Sequence, residues 1–130
     1  MTRGSDSHAN EEKRSLLAAL SDDELAARVG VPVSVVPAMR WARDLEEARE
    51  YAEQILAPEH VEVDSPETLG RLRELVAGGL DGRGIVRELQ AIGADLKAVR
   101  LVLTGRDRGP ELAAVIESLS REELLSRLEA

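Results

Sequence analysis

Helix start and stop signals recur along this chain and constrain its fold more than any other feature. Ser21-Asp22-Asp23-Glu24 has the form of a capping box, in which a Ser hydroxyl and a Glu carboxylate satisfy free backbone N–H groups. Ser120-Arg121-Glu122-Glu123 repeats this pattern. Ser65-Pro66-Glu67 and Asp81 are two further predicted helix starts, and Gly30 is a predicted helix end. Such closely spaced signals favour many short helices.

Apolar residues recur at every third or fourth position between these signals, which predicts an all-α fold. We expect a compact bundle of about six to eight helices. The predicted helices are Glu11–Leu20, the segment from Ser21 to Gly30, Pro37–Leu56, the segment from Ser65 to Gly78, the segment from Asp81 to Gly93, Leu96–Leu103, Pro110–Leu119 and Arg121–Leu128.

Pro37–Leu56 is the longest of the predicted helices, and its apolar stripe predicts one continuous helix. That stripe is Ala38, Trp41, Ala42, Leu45, Ala48, Ala52, Ile55 and Leu56. Leu96–Leu103 is rich in β-branched residues and would also suit a buried strand, but the chain offers no partner strand, so we predict a buried helix.

The length of 130 residues suits one domain. We expect residues 1–10 to be a disordered tail and residues 11–130 to form a single helical domain. The chain has no Cys, which excludes disulfides and thiolate chemistry. No apolar run reaches the ~20 residues that a membrane span needs, so we expect a cytoplasmic protein without membrane contact.

The formal net charge of −8 argues against a general nucleic-acid binder, because contacts to phosphates need cations. The charge is uneven, however. Residues 1–70 hold 7 basic and 15 acidic side chains, whereas Arg71–Pro110 holds 8 basic and 5 acidic ones. This local excess of positive charge permits an anion site in the second half of the chain.

Residues typical of catalysis are scarce, and we predict no catalytic residue, no metal site and no cofactor. His60 lies among Glu59, Glu62 and Asp64, but one His among acids lacks the ligand set of most metal sites, and a solvated connector is the favoured interpretation. The stretch GGLDGRG, residues 78–84, is not followed by the Lys-Ser/Thr of a phosphate-binding loop.

A helix-turn-helix is a further alternative, since Ala26, Gly30 and Val36 have suitable residue types and spacing. Pro37 would interrupt its second helix, and acidic residues outnumber the cations of this segment. A short helix packed on the long one is therefore favoured over DNA binding.

The stretch from Val99 to Leu112 reads VRLVLTGRDRGPEL and is the candidate site. Thr104 and Gly105 are predicted to end one helix, and Gly109 and Pro110 to begin another. The loop between them should therefore have fixed ends.

Arg106 and Arg108 lie in this loop, and Arg100 lies about one turn earlier on the preceding helix. Guanidinium groups bind phosphates and base edges, and the start of the Pro110 helix would also favour anions. Alternatively, Asp107 and Glu111 neutralise both arginines and the loop is only a charged surface.

Leu96–Ala130 resembles the C-terminal end of bacterial glutamyl-tRNA synthetases, and a weaker likeness extends back over Trp41–Ala130. The matching residues are Arg100, Leu103, Thr104, Gly105, Gly109, Pro110, Leu112, Arg127 and Leu128. In that family this region is the α-helical anticodon-binding part. The resemblance therefore implies a tRNA partner of the glutamate type. The catalytic nucleotide-binding domain of these enzymes is missing, so we expect no enzymatic activity.

By this resemblance the RNA contacts would come from Arg100, Arg106 and Arg108, with Arg83, Arg87 and Lys97 adding contacts to the RNA backbone. Thr104, Gly105, Gly109 and Pro110 would be the structural motif of the loop. A synthetase catalytic domain or another protein is a further expected partner. The chain is either a free-standing gene product, which the initial Met1 and the acidic first third favour, or an excised synthetase fragment.

The alternative is a protein-interaction module that keeps the helical frame and has lost RNA affinity. The net negative charge favours it, as does the scarcity of aromatic residues, on which single-stranded RNA usually stacks. Only Trp41 and Tyr51 are present, and both are expected to pack within the long helix.

Overall fold

All regular structure in the part of the chain that the computed structural model describes, residues 17–129, is helical. The helices are α1 (Asp22–Val29), α2 (Val36–Met39), α3 (Leu45–Leu56), α4 (Pro66–Ala77), α5 (Gly82–Ala91), α6 (Leu96–Thr104), α7 (Leu112–Glu117) and α8 (Arg121–Glu129), with a short 3-10 turn at Val33–Val35. The predicted all-α class is confirmed. Residues 17–19 are also helical, whereas the predicted tail and most of the Glu11–Leu20 helix lie outside the described residues.

Local capping interactions account for most of the helix starts. The Ser21 hydroxyl accepts from Glu24 N at 3.1 Å, and the Glu24 carboxylate accepts from Ser21 N at 3.2 Å, which confirms the predicted capping box. Asp81 accepts from Gly84 N at 2.8 Å and caps α5 as predicted. Each bond satisfies an N–H group that has no partner within its own helix.

Two of the predicted starts differ in detail. Ser120 accepts from Glu123 N at 3.1 Å, which is the hydroxyl half of a capping box. Pro66 occupies the first turn of α4 as predicted, but the Ser65 side chain makes no capping bond there. Asp95, which the sequence analysis missed, caps α6 by accepting from Lys97 N and Ala98 N.

The single long helix predicted for Pro37–Leu56 is wrong, because the chain breaks between α2 and α3. Asp44 has extended backbone angles and accepts from Glu47 N at 2.9 Å, which starts a new helix. The predicted apolar stripe is therefore divided. Trp41 is 52% exposed in the intervening loop, so the expectation that it packs within a long helix is wrong as well.

Arg43 reinforces the start of α3 with a guanidinium–carboxylate pair to Glu47 at 2.9 Å. Burial opposes the ionisation of Glu47, but hydrogen bonds from Arg43 and Tyr51 outweigh it and lower the pKa of that carboxyl. Burial, and then the charge of Glu47, raise the pKa of Tyr51, which is half-buried.

The short helix α2 is also the reason why the helix-turn-helix alternative finds no support in the described residues. Its second helix would need to present several side chains to a DNA groove. Here the chain forms the 3-10 turn at Val33–Val35 and then the single turn Val36–Met39, whose Val36, Ala38 and Met39 are buried.

The helices enclose an aliphatic core. α5 packs against α7, α2 packs against α3 and α7, and α4 packs against α5 and α8, while α6 contacts α3, α4 and α8. The largest fully buried apolar side chains are Leu25, Met39, Ile55, Leu72, Ile85, Leu89, Leu103, Val35, Val99 and Val115. The buried Leu103 and Val99 confirm that the ambiguous segment is a buried helix and not a strand.

Between α3 and α4, residues 57–65 form a connector without regular structure. Its residue Glu59 donates a backbone hydrogen bond to Thr104 O at 3.1 Å, so the connector is attached to the end of α6. This contact brings two segments far apart in sequence to the candidate site.

Candidate functional site

The arginine bend, residues 105–110, follows directly after α6 and begins with a left-handed glycine. Gly105 has a φ of 75° and donates its N–H to Leu101 O at 2.8 Å, which closes the helix. Thr104 is fully buried, and its hydroxyl donates to Arg100 O at 3.0 Å and accepts from Arg106 N at 3.2 Å. Thr104 therefore fixes both the last turn of α6 and the first residue after Gly105.

Gly105 also lies against the connector, where no side chain fits. A Cβ atom at this position would lie 2.1 Å from the backbone oxygen of Glu59. The backbone N–H of Glu59 donates to Thr104 O, and the Glu59 carbonyl group packs against Gly105. The connector therefore contacts both residues of the Thr104–Gly105 peptide. The glycine is thus required by its φ angle and by the close approach.

The other end of the bend is held by α3 and α6. A Cβ atom on Gly109 would lie 2.2 Å from the Gln54 side-chain oxygen, so the Gly109 backbone lies directly on that side chain. Pro110 is buried, and its carbonyl oxygen accepts from Arg100 Nη1 at 2.7 Å. Gln54 is 9% exposed, and its Oε1 has no hydrogen-bond partner within the described part of the chain.

Pro110 does not begin a helix, contrary to the prediction. The following helix, α7, starts only at Leu112, after an extended Glu111 that makes no side-chain capping bond. This segment packs against the helices because Arg100 donates to Pro110 O and the Gly109 backbone contacts the Gln54 side chain. The expected anion-binding helix start beside the arginines is therefore not formed by Pro110.

Arg100 differs most from its expected role. Its guanidinium group is half-buried and engaged with Pro110 O, so it holds the bend in place and does not protrude. Burial lowers the pKa of Arg100, with the charges of Tyr51 and Asp107 opposing that effect. Arg100 therefore has a structural role within the domain and is not an exposed contact for RNA.

Arg106 and Arg108 are both exposed, but their surroundings differ. Arg106 Nη2 lies 3.2 Å from Glu59 Oε1, with the two side chains 45% and 61% exposed. The neutralising carboxylate is thus Glu59 of the connector, and not Asp107 or Glu111 as the sequence analysis considered. Arg108 forms no ion pair with any residue from 17 to 128.

Arg83, Arg87 and Lys97 are exposed and make no ion pair with other described residues. Arg83 and Arg87 are four positions apart on α5 and so share one face of that helix. Lys97 lies in the first turn of α6, roughly 10 Å along the helix axis from the bend that follows Thr104. It is therefore not part of the bend itself.

Several other arginines donate to backbone carbonyl groups, a role that the sequence analysis did not predict. Arg127 Nη1 donates to Leu103 O at 2.8 Å, and its Nη2 donates to Ile55 O, so one side chain joins the ends of α6 and α3. Burial lowers the pKa of Arg127. Arg40, Arg73 and Arg121 likewise donate to carbonyls of other segments. Carbonyl groups in the last turns of helices are favourable partners for such cations.

A cavity of about 610 Å³ lies beside the connector and is lined by His60, Glu62 and Asp64 together with aliphatic residues and Arg127. Within residues 17–129, no group of three or more His, Cys, Asp or Glu side chains is arranged to hold a metal ion.

The same range contains no helix that is long and apolar enough to cross a membrane. A scan of protein-family models, a search of curated proteins and a search of solved structures each found no match to this chain.

Proposed function

We propose that this chain is a non-catalytic tRNA-binding module that contacts RNA phosphates through Arg106 and Arg108 of the arginine bend. The observation that carries the proposal is a bend that bears two exposed arginines and whose backbone is held by contacts with α3, α6 and the connector. A preformed loop loses little conformational entropy when it binds.

The resemblance to the anticodon-binding region of glutamyl-tRNA synthetases supports a tRNA of the glutamate type as the ligand. Four residues of the matching motif fix the bend in this chain: Thr104, Gly105, Gly109 and Pro110. Arg83 and Arg87 are exposed on α5 and available for further phosphate contacts. Arg100 is not one of the direct contacts, because its side chain is engaged within the domain.

The net charge of −8 has a consequence for this function. Most of the surface repels RNA, so binding depends on a few cations and weakens steeply with salt. We therefore expect measurable binding at low ionic strength.

The test is a titration of the purified chain into a fluorescein-labelled glutamate tRNA transcript at low salt, followed by fluorescence anisotropy. We expect Arg106→Ala and Arg108→Ala each to weaken binding several-fold, whereas Arg28→Ala, which removes an exposed arginine of α1, leaves the affinity nearly unchanged. Equal affinities of all three variants and the parent chain would reject the proposed site.

A protein-interaction module is the second candidate, and the exposed Trp41 favours it. Trp41 is 52% exposed, with Val33 at 49% and Leu45 at 40% nearby in sequence. Aromatic residues are enriched in protein interfaces. A pull-down that retains a protein partner after nuclease treatment, and loses it with Trp41→Ala, would support this candidate over RNA binding.

A further inference from the structure

We infer that Glu59 sets the RNA affinity of the arginine bend, because its carboxylate competes with phosphate for Arg106. The inference rests on the proposed function and adds an affinity-determining residue to the same site. It concerns a residue of the connector that is not among the matching residues of the family motif.

Glu59 is held beside the bend by its backbone. Its N–H donates to Thr104 O at 3.1 Å, and its carbonyl group lies against Gly105 so closely that no Cβ atom fits between them. The Glu59 side chain therefore starts from a fixed point next to the guanidinium group of Arg106. Because the Glu59 backbone is already fixed, forming the ion pair costs only the side-chain entropy of the two partners.

The Glu59 carboxylate occupies part of the surface that a phosphate would need. Arg106 Nη2 and Glu59 Oε1 are 3.2 Å apart, and both side chains are about half exposed to solvent. A phosphate that binds Arg106 must displace the carboxylate or share the guanidinium group with it, at the cost of repulsion between two anions. RNA binding at Arg106 is thus weaker than at an otherwise similar arginine without a counter-ion.

Arg108 provides that comparison within the same bend. It lies two positions from Arg106, is exposed, and has no ion-pair partner among residues 17–128. Removal of the Glu59 charge should therefore act through Arg106 and leave the contribution of Arg108 unchanged.

The experiment uses the labelled glutamate tRNA transcript and five variants of the whole chain: Glu59→Gln, Glu62→Gln, Arg106→Ala, Arg108→Ala and the double variant Glu59→Gln/Arg106→Ala. Glu62→Gln is the matched control, since it removes the same charge from an exposed position of the connector that is not paired with Arg106. Glu59→Gln retains the backbone bond to Thr104, and thermal melts establish that each variant is folded.

We expect Glu59→Gln to tighten binding by about two- to fivefold, the range of a surface ion pair. Glu62→Gln should gain less, and without Arg106 the gain from Glu59→Gln should fall to the value for Glu62→Gln. An equal gain from Glu59→Gln and Glu62→Gln, or a gain from Glu59→Gln that stays undiminished without Arg106, would overturn the inference while leaving RNA binding intact. Unchanged affinity in Arg106→Ala and in Arg108→Ala would instead reject the proposed function itself, and the inference with it.

Discussion

At the residue scale, Gly105 is the position where bend and connector approach each other most closely. Its φ of 75° lies in the left-handed region, and a Cβ atom would lie 2.1 Å from Glu59 O, which belongs to backbone and cannot move aside easily. Replacement by Ala should therefore both strain the backbone and separate the connector from α6.

We predict that Gly105→Ala lowers the free energy of unfolding by about 2–4 kcal/mol, as measured by urea denaturation. Gly30→Ala is the matched control, because Gly30 has a similar φ of 83° but nothing within 4 Å of the position that a Cβ atom would take. It should cost only about 1–2 kcal/mol, the penalty of the left-handed backbone alone. Equal losses in the two variants would show that the contact with Glu59 contributes nothing to stability.

At the scale of helices, Arg127 of α8 joins two helix ends that are distant in sequence. Its guanidinium group donates to Ile55 O at the end of α3 and to Leu103 O at the end of α6, and burial lowers its pKa. These carbonyl groups have no partners within their own helices, so Arg127 satisfies them. A lysine carries the same charge, but it cannot present two donors in the fixed geometry of a guanidinium group.

Arg127→Lys should therefore destabilise the chain by about 1–3 kcal/mol, read out as a lower midpoint of urea unfolding. Arg87→Lys makes the same exchange at an exposed position without an ion pair to the described residues, and should change stability by less than about 0.5 kcal/mol. The role assigned to Arg127 would be untenable if both exchanges were equally neutral.

The contact between α5 and α7 depends on a glycine in a different way. A Cβ atom on Gly82 would lie 2.4 Å from Ala113 O, although its backbone does not need a left-handed angle. Gly82→Ala should force the two helices apart and cost about 1–3 kcal/mol. Gly70→Ala, inside α4 with open space where a Cβ atom would lie, should instead stabilise by about 0.5–1 kcal/mol.

The stabilities of Gly82→Ala and Gly70→Ala, measured by thermal or urea unfolding, compare the same substitution in α5 and in α4. A stabilising Gly82→Ala would contradict the close approach of α5 and α7. A destabilising Gly70→Ala would mean that Gly70 has a packing role that the described residues do not reveal.

Helix starts were predictable because their capping bonds are local. Ser21 with Glu24, and Asp81 with Gly84, lie within one turn of chain, so the sequence contains both partners of each bond. The break between α2 and α3 has an equally local signal, the Asp44 cap on Glu47 N, but the apolar spacing continues across it. Periodicity alone does not distinguish one amphipathic helix from two that share a core.

At the scale of the whole molecule, the arginines fall into two groups that composition cannot separate. Arg40, Arg100 and Arg127 donate to carbonyl groups of other segments and hold the fold together. Arg106 and Arg108 remain exposed on the bend. The fixed ends of that bend were predicted, but the engagement of Arg100 and the pairing of Arg106 with Glu59 depend on contacts between distant parts of the chain.

At this scale we predict a dependence of RNA affinity on salt concentration. The central proposal is that the two exposed arginines of the bend bind RNA phosphates, and phosphate binding by an acidic protein must depend on salt. Each phosphate contact releases counter-ions, and each contributes roughly 0.7–0.9 to the slope of log affinity against log salt. Affinity falls as salt rises, and loss of both contacts should therefore reduce the magnitude of that slope by about 1.5.

The most direct test is this slope, measured by anisotropy with the glutamate tRNA transcript for the parent chain, Arg106→Ala/Arg108→Ala and Arg28→Ala/Arg49→Ala. Both double variants remove two exposed arginines and change the net charge equally. We predict that only the first lowers the slope by about 1.5 and weakens binding. The same slope and affinity in both double variants would contradict RNA binding by the arginine bend.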